Sequence, residues 1–234
     1  MKTLVLMAVL AVEAANVYAI RPVIYRRPDP TAPMVRVDGR LRGASDVLTT
    51  LTVLAPEDVG LTASAQPSLF WYQSHGSETR IELTVLRDTA AKPAFEAVVE
   101  TPAAGGVRRF RLADKGFKLE PGTSYRWSVS IVTDPENRSK DVVASGMIRY
   151  APLSDKAQQR LAANQNDKAY VYADEGYWYD ALEALSDEID QKPSERELRK
   201  VRGMLFLQAG LKEASDHDLK SIGKGTGAEA PQKP

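Results

Sequence analysis

The segment at residues 119–131 constrains the fold more than any other part of the chain. Pro121 and Gly122 supply the geometry of a tight turn. From Tyr125 onward, apolar and polar residues alternate up to Ile131, which is the two-residue period of a β-strand with one buried face and one solvated face. The pattern therefore predicts a sharp corner that leads directly into a half-buried strand.

Six further short segments show the same alternation, bounded by turn residues. Their alternating residues are Leu51 and Val53; Leu69 and Trp71, with Phe70 and Tyr72 on the other face; Ile81, Leu83 and Val85; Phe95, Ala97 and Val99; Phe110 and Leu112; and Val142, Ala144, Ile148 and Tyr150. About seven such strands within residues 48–151 are typical of a β-sandwich. The order Leu-x-Pro-x-Thr-x-Tyr in residues 119–125 resembles the tyrosine corner of fibronectin type III modules. We therefore expect a fibronectin type III or immunoglobulin-like β-sandwich.

After Pro152 the apolar period lengthens from two residues to about 3.6, which predicts helices over residues 152–214. Ser154 is placed to cap the first helix. Ser194 and Glu197 have the spacing of a capping box for a later helix. This part of the chain is therefore a second, helical domain.

The helical segment resembles the second half of a tetratricopeptide repeat. The spacing is carried by Gly176, Trp178, Ala181, Leu185 and Pro193. We expect a short tetratricopeptide-like bundle that docks on the sandwich, because the connection at residues 151–153 is too short for a flexible tether. Residues 215–234 are rich in Gly, Lys and Pro, which predicts a disordered tail.

The N-terminus has the pattern of a secretory signal peptide over residues 1–19. Lys2 precedes an apolar run at residues 3–12, and small residues lead to a cleavage point after Ala19. An apolar run of this length is too short to span a bilayer, so we expect no stable transmembrane insertion, with a retained anchor as the alternative. Residues 20–47 are rich in Pro and Arg and are interpreted as an extended linker.

Composition excludes several classes of function. The chain has 31 basic and 31 acidic residues, so no global field favours nucleic acid as a partner. It has no cysteine, which excludes disulfides and thiol chemistry. Its two histidines, His75 and His217, lack the serine or cysteine context of a nucleophile. We predict no catalytic residue, cofactor or metal site.

Three groups of motifs, in their order along the chain, carry a family resemblance. They are LAPEDVGLT at residues 54–62 followed by PSLFWY at 67–72, YRW at 125–127 followed by DPENRSKD at 134–141, and EGYWYDAL at 175–182. Together they resemble the domain of unknown function 928 family of exported bacterial proteins, over about residues 48–213. The resemblance implies an exported bacterial protein, periplasmic or secreted. It implies no activity and no functional residues.

Two regions are candidate partner-binding sites in the sandwich. Trp71 and Tyr72 lie on opposite faces of one strand and cannot both enter one core, so one of them either packs against the helices or stacks on a sugar or peptide. The loop at residues 134–141 contains Asp134, Asn137 and Arg138. It is either an ordinary turn with solvated charges, a loop that contacts a protein or ligand, or a Ca²⁺ site, although its spacing matches no known calcium loop.

A third candidate region is the aromatic cluster that includes Tyr177 and Tyr179, which either lines a peptide groove or joins the helices to the sheets. The predicted function is a non-catalytic exported envelope protein that binds or scaffolds another protein or a peptide. One alternative is a carbohydrate- or peptide-binding module, for which an exposed aromatic platform is expected. The other is an enzyme of unrecognised type, for which a pocket with converging titratable groups is expected.

Overall fold

A computed structural model describes residues 21–42, 48–76, 80–100 and 104–223. It contains nine strands: β1 (Gly39–Arg42), β2 (Leu48–Val53), β3 (Val59–Thr62), β4 (Ser68–Gln73), β5 (Ile81–Arg87), β6 (Phe95–Val99), β7 (Gly106–Arg111), β8 (Ser124–Ile131) and β9 (Val142–Tyr150). Five α-helices follow: α1 (Asp155–Ala163), α2 (Lys168–Asp174), α3 (Trp178–Gln191), α4 (Arg196–Gln208) and α5 (Lys212–Gly223).

The strands form two sheets. One has four strands in the order β1-β2-β4-β7, and the other has five in the order β3-β9-β8-β5-β6. Neighbouring strands are antiparallel, apart from β3, which runs parallel to β9. Apolar side chains from both sheets and from the helices share one buried core. The predicted order of a strand-rich part followed by a helical part is confirmed, and the two parts share this core.

The corner before β8 forms as the sequence predicts. Gly122 has a φ of +73°, a backbone conformation that residues with a side chain rarely adopt. Tyr125 is buried, and its hydroxyl accepts a hydrogen bond from the backbone N–H of Glu120 at 3.2 Å. Along β8, every second side chain from Tyr125 to Ile131 is buried. The hydroxyl thus ties the start of the strand to the turn that precedes it.

All seven predicted strands are present, as β2 and β4 to β9. The alternation extends one residue too far in β7, because Leu112 begins a short 3₁₀ turn instead of continuing the strand. The alternation does not predict β1 or β3, each only four residues long. Gly60 interrupts the β3 pattern, and β1 lies in the Pro- and Arg-rich segment, where the compositional signal favours a linker.

The segment interpreted as a linker packs against the domain. Val23 is fully buried, and the Tyr25 ring lies edge-on to the Trp178 ring at 5.0 Å. Gln208 of α4 holds the segment, because its side chain accepts from the Tyr25 N–H at 2.9 Å and donates to the Val23 carbonyl at 2.7 Å. The linker interpretation is corrected for residues 21–42: the path is extended, as the prolines require, but it packs against the domain through Val23 and Tyr25, while Ile24, Met34 and Val37 stay exposed.

The two predicted helix caps have different outcomes. The Ser154 hydroxyl accepts from the Ala157 N–H at 3.2 Å, so the cap of α1 is confirmed. The capping box at Ser194 does not form. Helix α4 begins after Glu195, one residue later than the box requires, and its N-cap makes no side-chain hydrogen bond. A side-chain cap therefore does not set the start of this helix.

The predicted disorder from residue 215 is wrong for residues 215–223, which belong to α5. Ser215 and Asp218 of this helix are buried, so α5 is part of the packed structure. The composition of residues 215–234 led to the wrong prediction, because it does not show that Ser215 and Asp218 pack against another helix. The rest of the predicted tail, residues 224–234, and the predicted signal peptide at residues 1–19 lie outside the described residues. Among the described residues, no helix combines the length and apolarity needed to cross a bilayer.

Candidate functional site

Tyr179 of α3 is a hydrogen-bonded link between the helices and the sheets. Its side chain is fully buried. Its hydroxyl accepts from Trp127 Nε1 at 2.8 Å and donates to the Met147 carbonyl at 3.0 Å. Burial raises the pKa of the hydroxyl far above its ordinary value, so it stays protonated. Tyr179 therefore contacts the chain itself and presents no surface to a partner.

The neighbouring aromatic residues make similar connections. Trp178 Nε1 donates to the Leu54 carbonyl at 2.8 Å from a fully buried position. The Tyr177 hydroxyl donates to the Pro152 carbonyl at 3.2 Å, and its side chain is mostly buried. Of the two alternatives for the aromatic cluster, the structure supports the one in which it joins helices to sheets. The expected docking of the helices on the sheets is confirmed by these contacts.

Trp71 and Tyr72 are both buried, on opposite faces of β4. Trp71 is 1 % exposed and belongs to the shared core. Tyr72 is 8 % exposed, and its ring lies 5.5 Å from the ring of His217 in α5. The second aromatic face is thus covered by the chain's own helix. The pair does not form the exposed platform expected for stacking on a sugar.

The loop at residues 134–141 is a turn in which both charged candidate residues, Asp134 and Arg138, form ion pairs. Asp134 pairs with Lys140 at 2.9 Å, and Arg138 pairs with Glu82 of β5 at 2.6 Å. The Asn137 side chain accepts a hydrogen bond from a neighbouring serine hydroxyl at 2.5 Å. Across the described residues, no cluster of three or more acidic or histidine side chains is arranged to hold a metal ion. The geometry matches the ordinary-turn alternative.

A groove of about 620 Å³ lies between α2, α3 and the loop that follows β3. We call it the acidic groove, because four carboxylates line it against two lysines. The charged lining residues are Asp180, Glu183, Asp187, Glu188, Lys168 and Lys192. The half-buried ring of Tyr172 also lines the groove, so it offers an apolar surface beside the charges.

Three carboxylates of the acidic groove are anchored to the sheet side of the molecule. Asp180 accepts from the Ala63 N–H at 2.9 Å, after β3. Glu183 accepts from the Ser68 hydroxyl at 2.5 Å, at the start of β4. Asp187 pairs with a β7 arginine at 2.5 Å. These bonds fix the position of α3 and hold its negative charges in one row.

Asp180 has the most perturbed carboxyl of the groove. Burial raises its pKa to about 7, while hydrogen bonds from the Ala63 N–H and the Thr62 hydroxyl lower it and the charge of Glu183 raises it further. Burial also raises the pKa of Glu188, against the charge of Lys192. The charge of the groove therefore depends on pH near neutrality.

No carboxylate of the acidic groove is among the candidate residues predicted from the sequence, although a local signal exists. Asp180, Glu183 and Asp187 are spaced at i, i+3 and i+7, which places them along one face of a helix. The signal is hard to separate from the ordinary polar face of an amphipathic helix. Their partners at Ala63 and Ser68 are more than one hundred residues away in the chain, so no local pattern reveals the contact.

Comparison with known proteins places the chain in a protein family. No curated protein sequence matches the chain. A solved structure of Astrotactin-2, described as a vertebrate-specific, perforin-like membrane protein, aligns with 76 % of this chain and 36 % of its own at 15 % identity, with a TM-score of 0.29, which is too low for an argument about fold or function. The family model described as Domain of Unknown Function (DUF928) matches residues 37–219. Because this match spans most of the chain and agrees with the resemblance of its motifs, the chain belongs to the DUF928 family.

Proposed function

We propose that this protein is a non-catalytic exported module of the bacterial envelope, and that its acidic groove binds a basic, extended segment of a partner protein. The observation that carries this proposal is the groove itself. Its volume of about 620 Å³ is in the range of binding sites for small ligands and peptide side chains. Its four carboxylates, set against two lysines, favour a cationic occupant.

The anchoring of the carboxylates favours binding over catalysis. Asp180, Glu183 and Asp187 each make a structural hydrogen bond or ion pair with the sheet side. A general acid or base needs an orientation toward a substrate proton, whereas these groups are oriented toward the protein. Tyr172 adds an apolar wall of the kind that packs against the stem of a lysine or arginine side chain.

Two finer features of the fold agree with a binding role by analogy. The tyrosine corner supports a fibronectin type III-like assignment for the two sheets. The Gly176 to Pro193 spacing, which covers α3, supports a tetratricopeptide-like assignment for the helices. Both architectures serve protein recognition in many unrelated proteins, so they raise the expectation of a protein partner without identifying it.

Binding of a hexalysine peptide to the purified chain tests the proposal, with hexaglutamate as the control peptide. Fluorescence anisotropy is expected to show saturable binding of hexalysine that weakens as salt is raised. Glu188→Gln removes a groove charge that has no ion-pair partner in the described residues, and it should weaken binding about two- to fivefold. Glu197→Gln on the exposed face of α4 is the matched control and should leave binding unchanged. Equal binding of both peptides, or equal effects of both substitutions, would refute the assignment.

Export is tested separately from binding. Lys2, the apolar run at residues 3–12 and the small residues up to Ala19 support a cleaved signal. N-terminal sequencing of protein isolated from the envelope is expected to begin near Ile20. Protein that is found in the cytoplasm with Met1 in place would remove this part of the proposal.

A further inference from the structure

A second cavity, of about 300 Å³, lies between β7 and helices α3, α4 and α5. Its lining includes Arg108 and Arg109 from β7, Arg199 and Arg202 from α4, and His217 from α5. We call it the basic cleft. It shares no lining residue with the acidic groove. Four arginines in one small cavity are unusual in a chain whose total charges balance.

Two of the four arginines are held in place by carboxylates. Arg202 is buried and makes two hydrogen bonds to Asp218, at 2.7 and 2.8 Å. Arg109 pairs with Asp190 at 3.0 Å. The two charges within each pair neutralise one another, and the paired side chains form a rigid part of the wall of the cleft. Asp190 and Asp218 are the carboxylates that line the cleft, so they leave the other arginines without compensation.

Arg108 and Arg199 make no ion pair with a carboxylate in the described part of the chain. The Arg108 guanidinium donates to the Ala104 carbonyl, whereas its Nε is buried and has no hydrogen-bond partner in the described residues. Desolvation lowers the pKa of the Arg108 guanidinium. Arg199 donates to the Pro193 carbonyl at 2.7 Å and remains partly exposed. The cleft therefore carries an excess of positive charge together with an unsatisfied donor, both of which an anion satisfies.

His217 lies at the end of the cleft close to β7. Gly106 has a φ of +142°, and a Cβ atom at this position would lie 3.3 Å from His217 Nε2, so the glycine permits the close approach. Burial lowers the pKa of His217, Asp218 raises it, and the charges of Arg202, Arg108 and Arg199 lower it further. The three arginine charges thus act on the same imidazole, which is neutral at pH 7 and can donate one hydrogen bond.

We propose that the basic cleft is a binding site for a phosphoryl group. Donors reach the cavity from β7, α4 and α5, which are three separate sides. A tetrahedral group with oxygens in several directions satisfies such an arrangement better than a planar carboxylate does. Arginine forks match phosphate oxygens in geometry and in charge. The volume of the cleft accommodates the phosphoryl group and the first atoms of its carrier. The Arg109–Asp187 ion pair joins the wall of the cleft to the acidic groove, but the phosphoryl site does not depend on the function proposed for that groove.

Titration of the purified chain with inorganic phosphate tests the proposal, with the His217 imidazole resonances in NMR spectra as the readout. Ionic strength is held constant with chloride. The expected result is a saturable shift of the His217 signals, whereas the signals of His75, which lies outside the cleft, stay unchanged. Glycerol 3-phosphate is titrated in parallel: tighter binding than that of inorganic phosphate assigns the site to a phosphomonoester such as a lipid headgroup, and equal binding assigns it to free phosphate. Acetate is the planar control.

Substitutions in the arginines make the test specific. Arg108→Gln and Arg199→Gln are each expected to weaken phosphate binding at least about tenfold. Arg196→Gln, one turn earlier on the exposed face of α4, is the matched control and should change binding less than about twofold. Thermal melting checks that each variant is folded. If Arg108→Gln destabilises β7, the test rests on Arg199→Gln, because Arg199 is partly exposed and its replacement is tolerated more easily. Absence of saturable phosphate binding, equal affinity for acetate, or equal effects of Arg199→Gln and Arg196→Gln would each overturn the proposal.

Discussion

The Tyr179 hydroxyl offers the sharpest test of how the helices are held on the sheets. Replacement of Tyr179 by Phe keeps the ring and its packing but deletes the oxygen. Trp127 Nε1 then loses its acceptor at 2.8 Å, and the Met147 carbonyl loses its donor at 3.0 Å. Both groups are in a site that is closed to water, because Tyr179 and Trp127 are fully buried.

The cost follows from the two groups that are left behind. A buried polar group without a partner costs about 1–3 kcal/mol. The indole donor has no alternative, so its cost applies in full, whereas the carbonyl of a β9 residue takes part in a sheet and its cost applies in part. The sum is about 2–4 kcal/mol, which is a large share of the stability of about 5–15 kcal/mol that is usual for a domain.

The assay is equilibrium urea denaturation followed by tryptophan fluorescence and circular dichroism. Tyr177→Phe is the matched control, because it also deletes one hydroxyl from the same helix region but leaves only the Pro152 carbonyl, near the surface. We expect this control to cost about 0.5–1.5 kcal/mol. If the two variants have equal unfolding free energies, the buried link does not contribute in the way described, and the helices are held by apolar contact alone.

Three further predictions concern stability. Tyr125→Phe should cost about 0.5–1.5 kcal/mol in denaturant melts and Tyr125→Ala about 3–5 kcal/mol, and neutrality of both changes would contradict a corner role. Asp180 has its pKa raised from 3.8 to about 7, so folding loses stability as pH rises through this window; Asp180→Asn should reduce the loss by on the order of 2–4 kcal/mol, and parallel pH profiles for both proteins would exclude this account. Asp218→Asn leaves the buried charge of Arg202 poorly paired and should cost about 3–5 kcal/mol, whereas an unchanged thermal midpoint would show that the pair is not buried in solution.

The strands could be predicted from the sequence because their signal is local. In β8 the alternation extends over eight residues, and the residues on one face are aromatic or β-branched. The pattern alone therefore identifies the buried face. Strand β3 could not be predicted from the alternation of apolar and polar residues. It has only four residues, and one of them, Gly60, has no side chain to contribute to the pattern. Its pairing with β9 is parallel and joins distant parts of the chain, which no local pattern encodes.

The packing of residues 21–42 and the two cavities could not be predicted from the sequence, because they too depend on contacts between distant parts of the chain. Val23 and Tyr25 look like part of a Pro-rich linker until Gln208 is placed beside them. The arginines of the basic cleft come from β7 and α4, about ninety positions apart, and each alone has the appearance of a surface charge. Whether each arginine is neutralised depends on which carboxylates lie near it, and this proximity is visible only in the three-dimensional structure.

The hydrogen bonds between Gln208 and residues 23–25 also affect when this chain can complete its fold. Its two hydrogen bonds, to the Tyr25 N–H and the Val23 carbonyl, close loops of 183 and 185 positions. Closure over such separations gives a high contact order, which slows folding because the chain entropy is lost before the contacts form. Translation must pass α4 before Val23 and Tyr25 gain their partner, so the core cannot be completed until that helix has been made. Residues 23–25 and α4 therefore complete the core together, and strands that form earlier lack these contacts until α4 has been made.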